Sequence, residues 1–207
     1  MKLYLFSNVV SFMKYIIIIT FLVIAIIFTF KVFAKNKVEE QPYRIVKTYP
    51  DFEIRFYPTS TLATINSKSK NYKDLGSSGF RVLAKYIFGG NNENKNISMT
   101  APVYMNINDT LSTMSFVMPK SYNEKNLPTP NDPNIIISKT DEIFVAVIKF
   151  SGFASDEKIK TNIEKLKILL KQNQISYFGN LIYLGYNPPF QLINRRNEIM
   201  VNVKWPN

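Results

Sequence analysis

The residue types that usually carry out chemistry in proteins are unevenly represented in this chain. Its 207 residues include 15 Asp and Glu, 26 Lys and Arg and 12 Tyr, but neither Cys nor His. Without Cys there is no disulfide, no thiolate nucleophile and no thiolate-bound zinc or iron–sulfur cluster. Without His there is no Ser-His-Asp catalysis and no imidazole ligand for a metal. What remains is binding, or chemistry run by carboxylate, Lys, Tyr or a cofactor.

We find no catalytic constellation among the remaining residue types. Ser155 and Lys158 have the Ser-x-x-Lys spacing of a lysine-activated serine. The same residues are better explained as the beginning of a helix, since Ser is a preferred N-cap and acidic residues follow it. The sequence therefore predicts a binding protein and not an enzyme.

The apolar residues that could line a binding site recur with helical spacing. Phe80, Leu83, Ala84 and Ile87 stand at i, i+3, i+4 and i+7, so they share one face of a helix. Such a stripe belongs either to the core or to the wall of an apolar groove, and both interpretations stay open. Lys85 is either an exposed cation or a contact for an anionic group.

Short strands and two helices must position these residues. Ser78 is a candidate N-cap for the first helix, which Gly89-Gly90 would end, and Ser155 is a candidate N-cap for the second. Alternation of apolar and polar residues predicts strands at residues 52–57, 61–65, 97–103, 114–118, 135–138, 143–150, 181–186 and 198–203.

This order of elements is ββαββ twice, in about 70 residues each. It predicts an α+β fold in which duplicated halves form a curled, barrel-like, mostly antiparallel sheet with two packed helices. A doubly wound parallel sheet would need a helix between nearly every pair of strands.

An uncharged apolar run precedes the predicted domain. It extends from Tyr15 to Phe30, between Lys14 and Lys31, and with residues 31–34 it supplies about 20 residues, enough to cross a bilayer. We predict an N-terminal membrane anchor at residues 1–34, with the bilayer contacted through residues 15–34, and a linker at 35–42. A cleavable signal peptide and a buried soluble helix are the alternatives.

The side of the membrane is weakly specified by charge, because basic residues flank the apolar run on both sides. A short N-terminal tail usually stays inside, which would place the globular domain on the extracytoplasmic side. Residues 35–207 hold 23 basic and 15 acidic residues and so carry a charge of +8. Because the Lys residues are scattered, we predict attraction to lipid surfaces and no binding of nucleic acid.

Six stretches share a distinctive order and spacing: residues 49–58, 79–91, 97–103, 150–153, 185–190 and 195–199. In this order and at these spacings they resemble the SOUL heme-binding protein family. The resemblance covers residues 43–207. It implies the fold of that family, a barrel with two helices, which agrees with the fold expected from periodicity.

The resemblance implies binding of heme or another tetrapyrrole in an apolar groove beside the first helix, near the loop before the last strand. It assigns Lys85 to a heme propionate and places Gln191 where some members carry a second Lys. Since the chain has no His, we expect heme to be held weakly, by apolar contact and propionate pairing. The expected site residues are Phe80, Leu83, Ala84, Lys85 and Ile87 on the helix, and Tyr186, Phe190 and Gln191 in the loop.

Two other functions remain open at the level of sequence. The same architecture resembles the GyrI-like effector-binding domains, in which a buried carboxylate recognises cationic aromatic compounds, and Glu53 and Glu198 are the candidates here. A raised carboxyl pKa in a deep pocket would favour that function. Alternatively, the domain binds a protein partner, still unknown, and no small molecule.

Overall fold

The computed structural model describes residues 13–25 and 38–206, and the chain divides into two compact units, Met1–Val38 and Glu39–Asn207. In the first unit, residues 13–25 form a helix, α1. Helices in the described part of the chain are all too short or too polar to cross a membrane. Residues 1–12 and 26–34 of the predicted anchor, and residues 35–37 of the predicted linker, lie outside the described residues.

The second unit contains two helices and eleven strands. The helices are α2 (Tyr72–Ile87) and α3 (Asp156–Gln172). The strands are β1 (Glu39–Glu40), β2 (Arg44–Thr48), β3 (Glu53–Tyr57), β4 (Thr61–Ser67), β5 (Thr100–Ala101), β6 (Val103–Asn106), β7 (Ser112–Val117), β8 (Ile136–Lys139), β9 (Ile143–Ser151), β10 (Tyr177–Gly185) and β11 (Arg196–Val203).

Nine of these strands form one curled sheet in the order β2-β3-β9-β11-β10-β6-β7-β4-β8, and every neighbouring pair is antiparallel. Strands β1 and β5 form a separate parallel pair. Helix α2 packs on β4, β6 and β7, whereas α3 packs on β9, β10 and β11. The predicted α+β class and the antiparallel curled sheet are thus confirmed, while the internal duplication stays a prediction.

Helix α2 begins seven residues earlier than the sequence suggested, and the predicted cap at Ser78 is wrong. Asn71 is the N-cap, because its side-chain oxygen accepts the N–H of Asp74 at 2.8 Å. Ser78 lies inside the helix, where its hydroxyl donates to the Asp74 carbonyl oxygen at 2.6 Å. By contrast, Ser155 caps α3 as predicted, accepting the N–H of Lys158 at 3.3 Å.

The chain after α2 requires a glycine. The N–H of Gly90 donates to the Lys85 carbonyl oxygen at 2.8 Å, and a Cβ on Gly90 would lie 2.5 Å from that oxygen. Only glycine permits this close approach. The chain then reaches two short strands, β5 and β6, where one strand over residues 97–103 was predicted, because Pro102 between them has no N–H to donate to a sheet.

Both faces of the sheet are covered, although the alternation in β3 predicted one wet face. Helices α2 and α3 cover one face and enclose the larger apolar core. On the other face, Tyr57, Val145, Val147, Leu184 and Met200 pack together in a second core. Because the sheet curls, the side chains on this concave face pack against one another. The β3 side chains that were predicted to face solvent, such as Arg55 and Tyr57, are therefore buried.

Candidate functional site

An apolar groove of about 650 Å³ opens between α2, strands β6, β7 and β10, and the loop that joins β10 to β11. Six of its lining residues come from one side of α2, spaced along more than two helical turns. They are Tyr72, Lys73, Gly76, Ser77, Phe80 and Arg81; the sheet and loops add Val103, Met105, Met114, Phe153, Ala154, Tyr183, Gly185, Asn187, Pro189 and Arg195.

The floor of the groove is formed by two methionines beneath glycines of α2. Gly76 lies over Met105, and a Cβ on Gly76 would meet the Met105 Cε at 3.9 Å, an ordinary contact. Gly79 is more closely packed, since its Cβ would lie 3.1 Å from the Met114 sulfur. Glycines at these positions let α2 lie close to the sheet and leave an uneven, thioether-lined floor.

Three cationic residues line the groove, and no acidic residue does. Lys73 and Arg81 project from α2, and neither takes part in a side-chain hydrogen bond or an ion pair with any described residue. Both are exposed, so both are available to an anionic group at the mouth of the groove.

Arg195 is the third cation and also holds the loop together. Its Nη1 donates to the carbonyl oxygens of Pro188 at 2.9 Å and Gln191 at 2.7 Å. Its guanidinium stacks on the ring of Phe153 at 4.8 Å from the centroid. The buried Nε–H of Arg195 has no acceptor among the described residues. A buried donor without a partner is costly, and a ligand oxygen would satisfy it.

Two tyrosines meet at the wall of the groove. The rings of Tyr72 and Tyr183 lie edge to face, with their centroids 5.3 Å apart. The Tyr183 hydroxyl donates to the Asn197 side-chain oxygen at 2.7 Å, and burial raises the pKa of that hydroxyl far above its usual value. Tyr183 therefore stays neutral at physiological pH and presents an uncharged aromatic surface.

The structure separates the helix residues that the sequence grouped into one site. Phe80 lines the groove, and its ring meets that of Phe116 edge to face at 5.3 Å. Leu83 and Ile87 are fully buried in the core. Ala84 and Lys85 follow Arg81 along the helix, beyond the residues that line the groove.

The loop residues of the predicted site also divide. Tyr186 lies on the concave face of the sheet, where its hydroxyl donates to Glu198 at 2.8 Å. Phe190 projects into solvent with 83% of its surface exposed. The Gln191 amide donates to the Ile193 carbonyl oxygen at 3.1 Å. The groove is instead lined by their neighbours Asn187 and Pro189.

Sequence reasoning missed Tyr72 and Lys73 as groove residues because it began the helix too late. With Asn71 as the N-cap, Tyr72, Gly76 and Phe80 stand at i, i+4 and i+8 and share a face. Recognising Asn71 and Asp74 as a capping pair would have revealed that face. Phe153 and Arg195 belong to stretches that match the family, but no local pattern assigned them to the groove, and no local signal marks Met105. All three reach the groove only through the sheet and its loops.

The concave face holds a network of alternating charges, centred on the buried carboxylate of Glu198. Arg55 donates to both of its oxygens, at 2.8 and 3.0 Å, and Arg196 donates from the other side at 2.9 Å. Arg55 also pairs with Glu53, and Arg196 pairs with Glu40. Glu198 is therefore shared by two guanidinium groups, in an arrangement that is directional and specific.

The carboxylate of Glu53 ends this network near the surface. Burial alone would raise the pKa of Glu53, but hydrogen bonds from Lys149 at 2.6 Å and Arg55 at 2.8 Å outweigh it and hold the pKa below its usual value. Glu53 thus stays ionised and paired, unlike the raised carboxyl that would favour recognition of cationic compounds.

A smaller cavity of about 280 Å³ lies on the same concave face. Tyr57 and Tyr104 line it, and the Tyr104 hydroxyl donates to the Gln41 side-chain oxygen. Glu198 and Arg55 do not line this cavity. The carboxylate that would have to recognise a cation is thus enclosed by arginines, away from the open space.

Comparison with known sequences gives a consistent result. The model of the family described as SOUL heme-binding protein matches residues 38–202. Heme-binding protein 2 of Homo sapiens is 29% identical over 156 residues, which cover 72% of this chain and 76% of that protein. Heme-binding protein 1 of Xenopus laevis is 30% identical over 156 residues, covering 72% of this chain and 81% of that protein.

Comparison with solved structures reports on the fold. The C-terminal domain of EcmrR aligns with a TM-score of 0.58 at 9% identity, over 78% of this chain and 98% of that domain. A hydrolase from Listeria innocua aligns with a TM-score of 0.53 at 7% identity, over 77% of this chain and 94% of its own. At such low identity these structures share the architecture with this chain, and the comparison carries no chemistry.

Proposed function

Since this chain belongs to the SOUL heme-binding protein family, we propose that it binds heme or a related tetrapyrrole in the groove beside α2. The observation that carries this proposal is an apolar groove of about 650 Å³ lined by three cations and no acid. A flat apolar ring with carboxylate side chains needs this combination of surfaces. The family and its curated relatives are named for heme binding and not for catalysis, so the chain is assigned as a binding protein and not an enzyme.

The apolar part of the groove would contact the faces of the macrocycle. Phe80 and Phe153 are each partly exposed at the groove, at 39% and 53%, and each would become covered by a bound ring. Covering large aromatic surfaces is the main favourable contribution to binding an apolar ligand. The two residues come from α2 and from the segment between β9 and α3, so they offer contacts from two walls.

The cations would bind the propionate groups. Lys73 and Arg81 are free of ion pairs with the described residues and lie at the mouth. The Nε–H of Arg195 lacks an acceptor in the described part of the chain, and a carboxylate oxygen would supply one. This assignment replaces the family-based expectation for Lys85, which lies beyond the groove lining.

Bound heme would supply an iron that could accept a ligand from the protein. The oxygen and sulfur donors of the groove lining include the Tyr72 hydroxyl and the thioethers of Met105 and Met114. All three donors are weaker ligands than imidazole at neutral pH, which suits reversible rather than permanent binding. The residues present therefore fit a carrier or buffer of heme.

An optical titration tests this proposal. The full chain in lipid nanodiscs is titrated with hemin, with empty nanodiscs as the reference for non-specific partitioning. We expect a saturable Soret shift at micromolar hemin, without the spectrum of bis-imidazole ligation. A Soret spectrum identical to that of empty nanodiscs throughout the titration would contradict heme binding.

The two alternative functions find less support in the geometry. Recognition of cationic aromatic compounds requires a carboxylate with free acceptor capacity, whereas Glu198 is already bound by Arg55, Arg196 and Tyr186. Binding of a protein in place of heme would be expected from an exposed apolar patch without concavity. The apolar surface beside α2 is a concave groove, which favours a small ligand at that place.

We further propose that residues 1–34 anchor the chain in a membrane, with the domain on the extracytoplasmic side. Support comes from the sequence, in which the run from Tyr15 to Phe30 carries no charge. Carbonate extraction of membranes and protease protection of sealed vesicles test both parts. Release of the chain by carbonate would contradict the anchor. A domain that resists protease added outside sealed, right-side-out vesicles would contradict the extracytoplasmic location.

A further inference from the structure

The loop between β10 and β11, residues 186–195, exposes three large apolar side chains. Phe190, Leu192 and Ile193 are 83%, 71% and 75% exposed. We refer to these three residues as the apolar tip. Large apolar side chains that are clustered and this exposed mark a surface that meets a partner or a membrane.

Hydrogen bonds inside the loop hold the apolar tip in its outward position. Arg195 donates to the carbonyl oxygens of Pro188 and Gln191, and the Gln191 amide donates to that of Ile193 at 3.1 Å. The Asn187 side-chain oxygen accepts the N–H of Arg196 at 2.6 Å. The polar groups of the loop thus bond to one another on the inside, while its apolar side chains point outward. Because these bonds already hold the loop backbone, contact with another surface would require little further ordering of it.

The surroundings of the tip are cationic. The loop contains one basic residue and no acidic one, and the adjoining groove adds Lys73 and Arg81, which have no ion-pair partner among the described residues. Two carboxylates lie near the start of α2. Asp74 belongs to its first turn, and Asp156, the first residue of α3, accepts the N–H of Tyr72 at 2.7 Å. Among the described residues these carboxylates bond to the helix end and form no ion pair with Lys73 or Arg81.

We propose that the apolar tip inserts into a lipid bilayer whose anionic headgroups are contacted by Lys73 and Arg81. Three apolar side chains and nearby cations are what shallow insertion at an anionic interface requires. A stable protein interface buries at least about 1,200 Å², far more than three side chains provide. A second copy of the chain would also bring like charges together.

This inference goes beyond heme binding and does not rest on it. Its consequence is positional, because the loop that carries the tip also forms one wall of the groove through Asn187 and Pro189. A docked tip would bring the mouth of the groove to the membrane surface. Any apolar ligand dissolved in the bilayer would then reach the groove without crossing bulk water.

The absence of Cys allows a site-specific test with the full chain. Leu192→Cys is labelled with the polarity-sensitive fluorophore NBD and reconstituted into phosphatidylcholine vesicles with or without phosphatidylserine, without heme. Leu111→Cys is the matched control, since residue 111 is 47% exposed and lies far from the tip along the sheet. The loop adjoins the start of β6, where Gly185 pairs with Val103, whereas Leu111 follows the other end of that strand. Lipids with a spin label just below the headgroup act as quenchers.

We expect the label at residue 192 to shift to shorter wavelength and to be quenched by the spin-labelled lipids, more strongly with phosphatidylserine. The label at residue 111 should stay in water. The substitutions Lys73→Gln and Arg81→Gln together should remove the dependence on phosphatidylserine. Circular dichroism establishes that each variant is folded.

Three outcomes would overturn the proposal. One is a label at residue 192 that remains in water in both kinds of vesicle. Another is equal quenching at residues 192 and 111, which would indicate non-specific adsorption. The third is a spectral shift at residue 192 that needs no vesicles and grows with protein concentration, which would assign the tip to contact between copies. None of these results depends on whether hemin produces a Soret shift.

Discussion

The guanidinium of Arg55 and the carboxylate of Glu198 lie 143 residues apart in the chain and form two hydrogen bonds, with both side chains fully buried. Arg55 stands on β3 and Glu198 on β11, on either side of β9. The pair therefore ties together strands from the two ends of the domain sequence. Because the two hydrogen bonds between these buried charges offset much of their desolvation, removing either partner leaves the other with an incompletely paired charge.

Replacing Glu198 by Gln should destabilise the fold strongly, because the buried guanidinium of Arg55 loses its main counter-charge. We expect a loss of about 3–5 kcal/mol in the free energy of unfolding, measured with urea. The matched control is Lys165→Met, which breaks an exposed pair with Asp51 and should cost less than about 1 kcal/mol. Equal losses in the two variants would refute the structural importance of the buried pair.

Filling the groove should separate ligand binding from folding. Gly76→Leu places a large side chain over Met105 within the groove, so hemin affinity should fall by at least about tenfold. Stability should be unchanged or higher by about 0.5–1 kcal/mol, since Leu is a better helix former than Gly. Ser78→Leu is the control on the same helix, outside the groove. If it weakened hemin binding as much as Gly76→Leu, the site would lie elsewhere.

The identity of the propionate cations can be decided by three matched substitutions on α2. Lys73→Gln and Arg81→Gln should each weaken hemin binding about fivefold, through loss of one charge-assisted contact. Lys85→Gln should leave binding unchanged, because Lys85 lies beyond the groove. With the dimethyl ester of hemin, which has no free propionate, Lys73→Gln and Arg81→Gln should become neutral as well. Weaker hemin binding in Lys85→Gln alone would restore the family-based assignment.

Tyr86 should make stability dependent on alkaline pH. Its buried hydroxyl donates to the Pro128 carbonyl oxygen at 2.9 Å, and burial raises its pKa to about 12. A tyrosine in the unfolded chain has a pKa of about 10. The hydroxyl of Tyr86 therefore contributes its full stabilisation below pH 10, and this contribution is lost as the pH rises towards 12.

The measurement is the difference in unfolding free energy between the wild type and Tyr86→Phe. At pH 7 it should be about 1 kcal/mol in favour of the wild type, because the variant leaves a carbonyl without its donor. The difference should shrink between pH 10 and 12. Tyr177→Phe, at a partly exposed tyrosine, is the control. A difference that stays constant over this range would contradict the assignment of the pKa to Tyr86.

The sequence predicted much of the fold because period-two and helical patterns are local properties. Ser155 was recognisable as the cap of α3, and the motif at residues 185–190 led to the correct family. The start of α2 was missed because Asn71 and Ser78 are both acceptable caps. Only the hydrogen bond from the Asp74 N–H to Asn71 distinguishes them.

For the site, the sequence by itself determined which chemistry is excluded, and its resemblance to a family indicated which ligand to expect. Because the chain contains neither His nor Cys, no fold could provide an imidazole or thiolate ligand from its side chains. The tertiary structure decided which side chains share a surface. It placed Phe80 at the groove but Leu83 in the core, and it brought Arg195 to the same groove from a distant loop. Helical spacing fixes direction around an axis, whereas the packing of a curled sheet decides which directions are filled and which stay open.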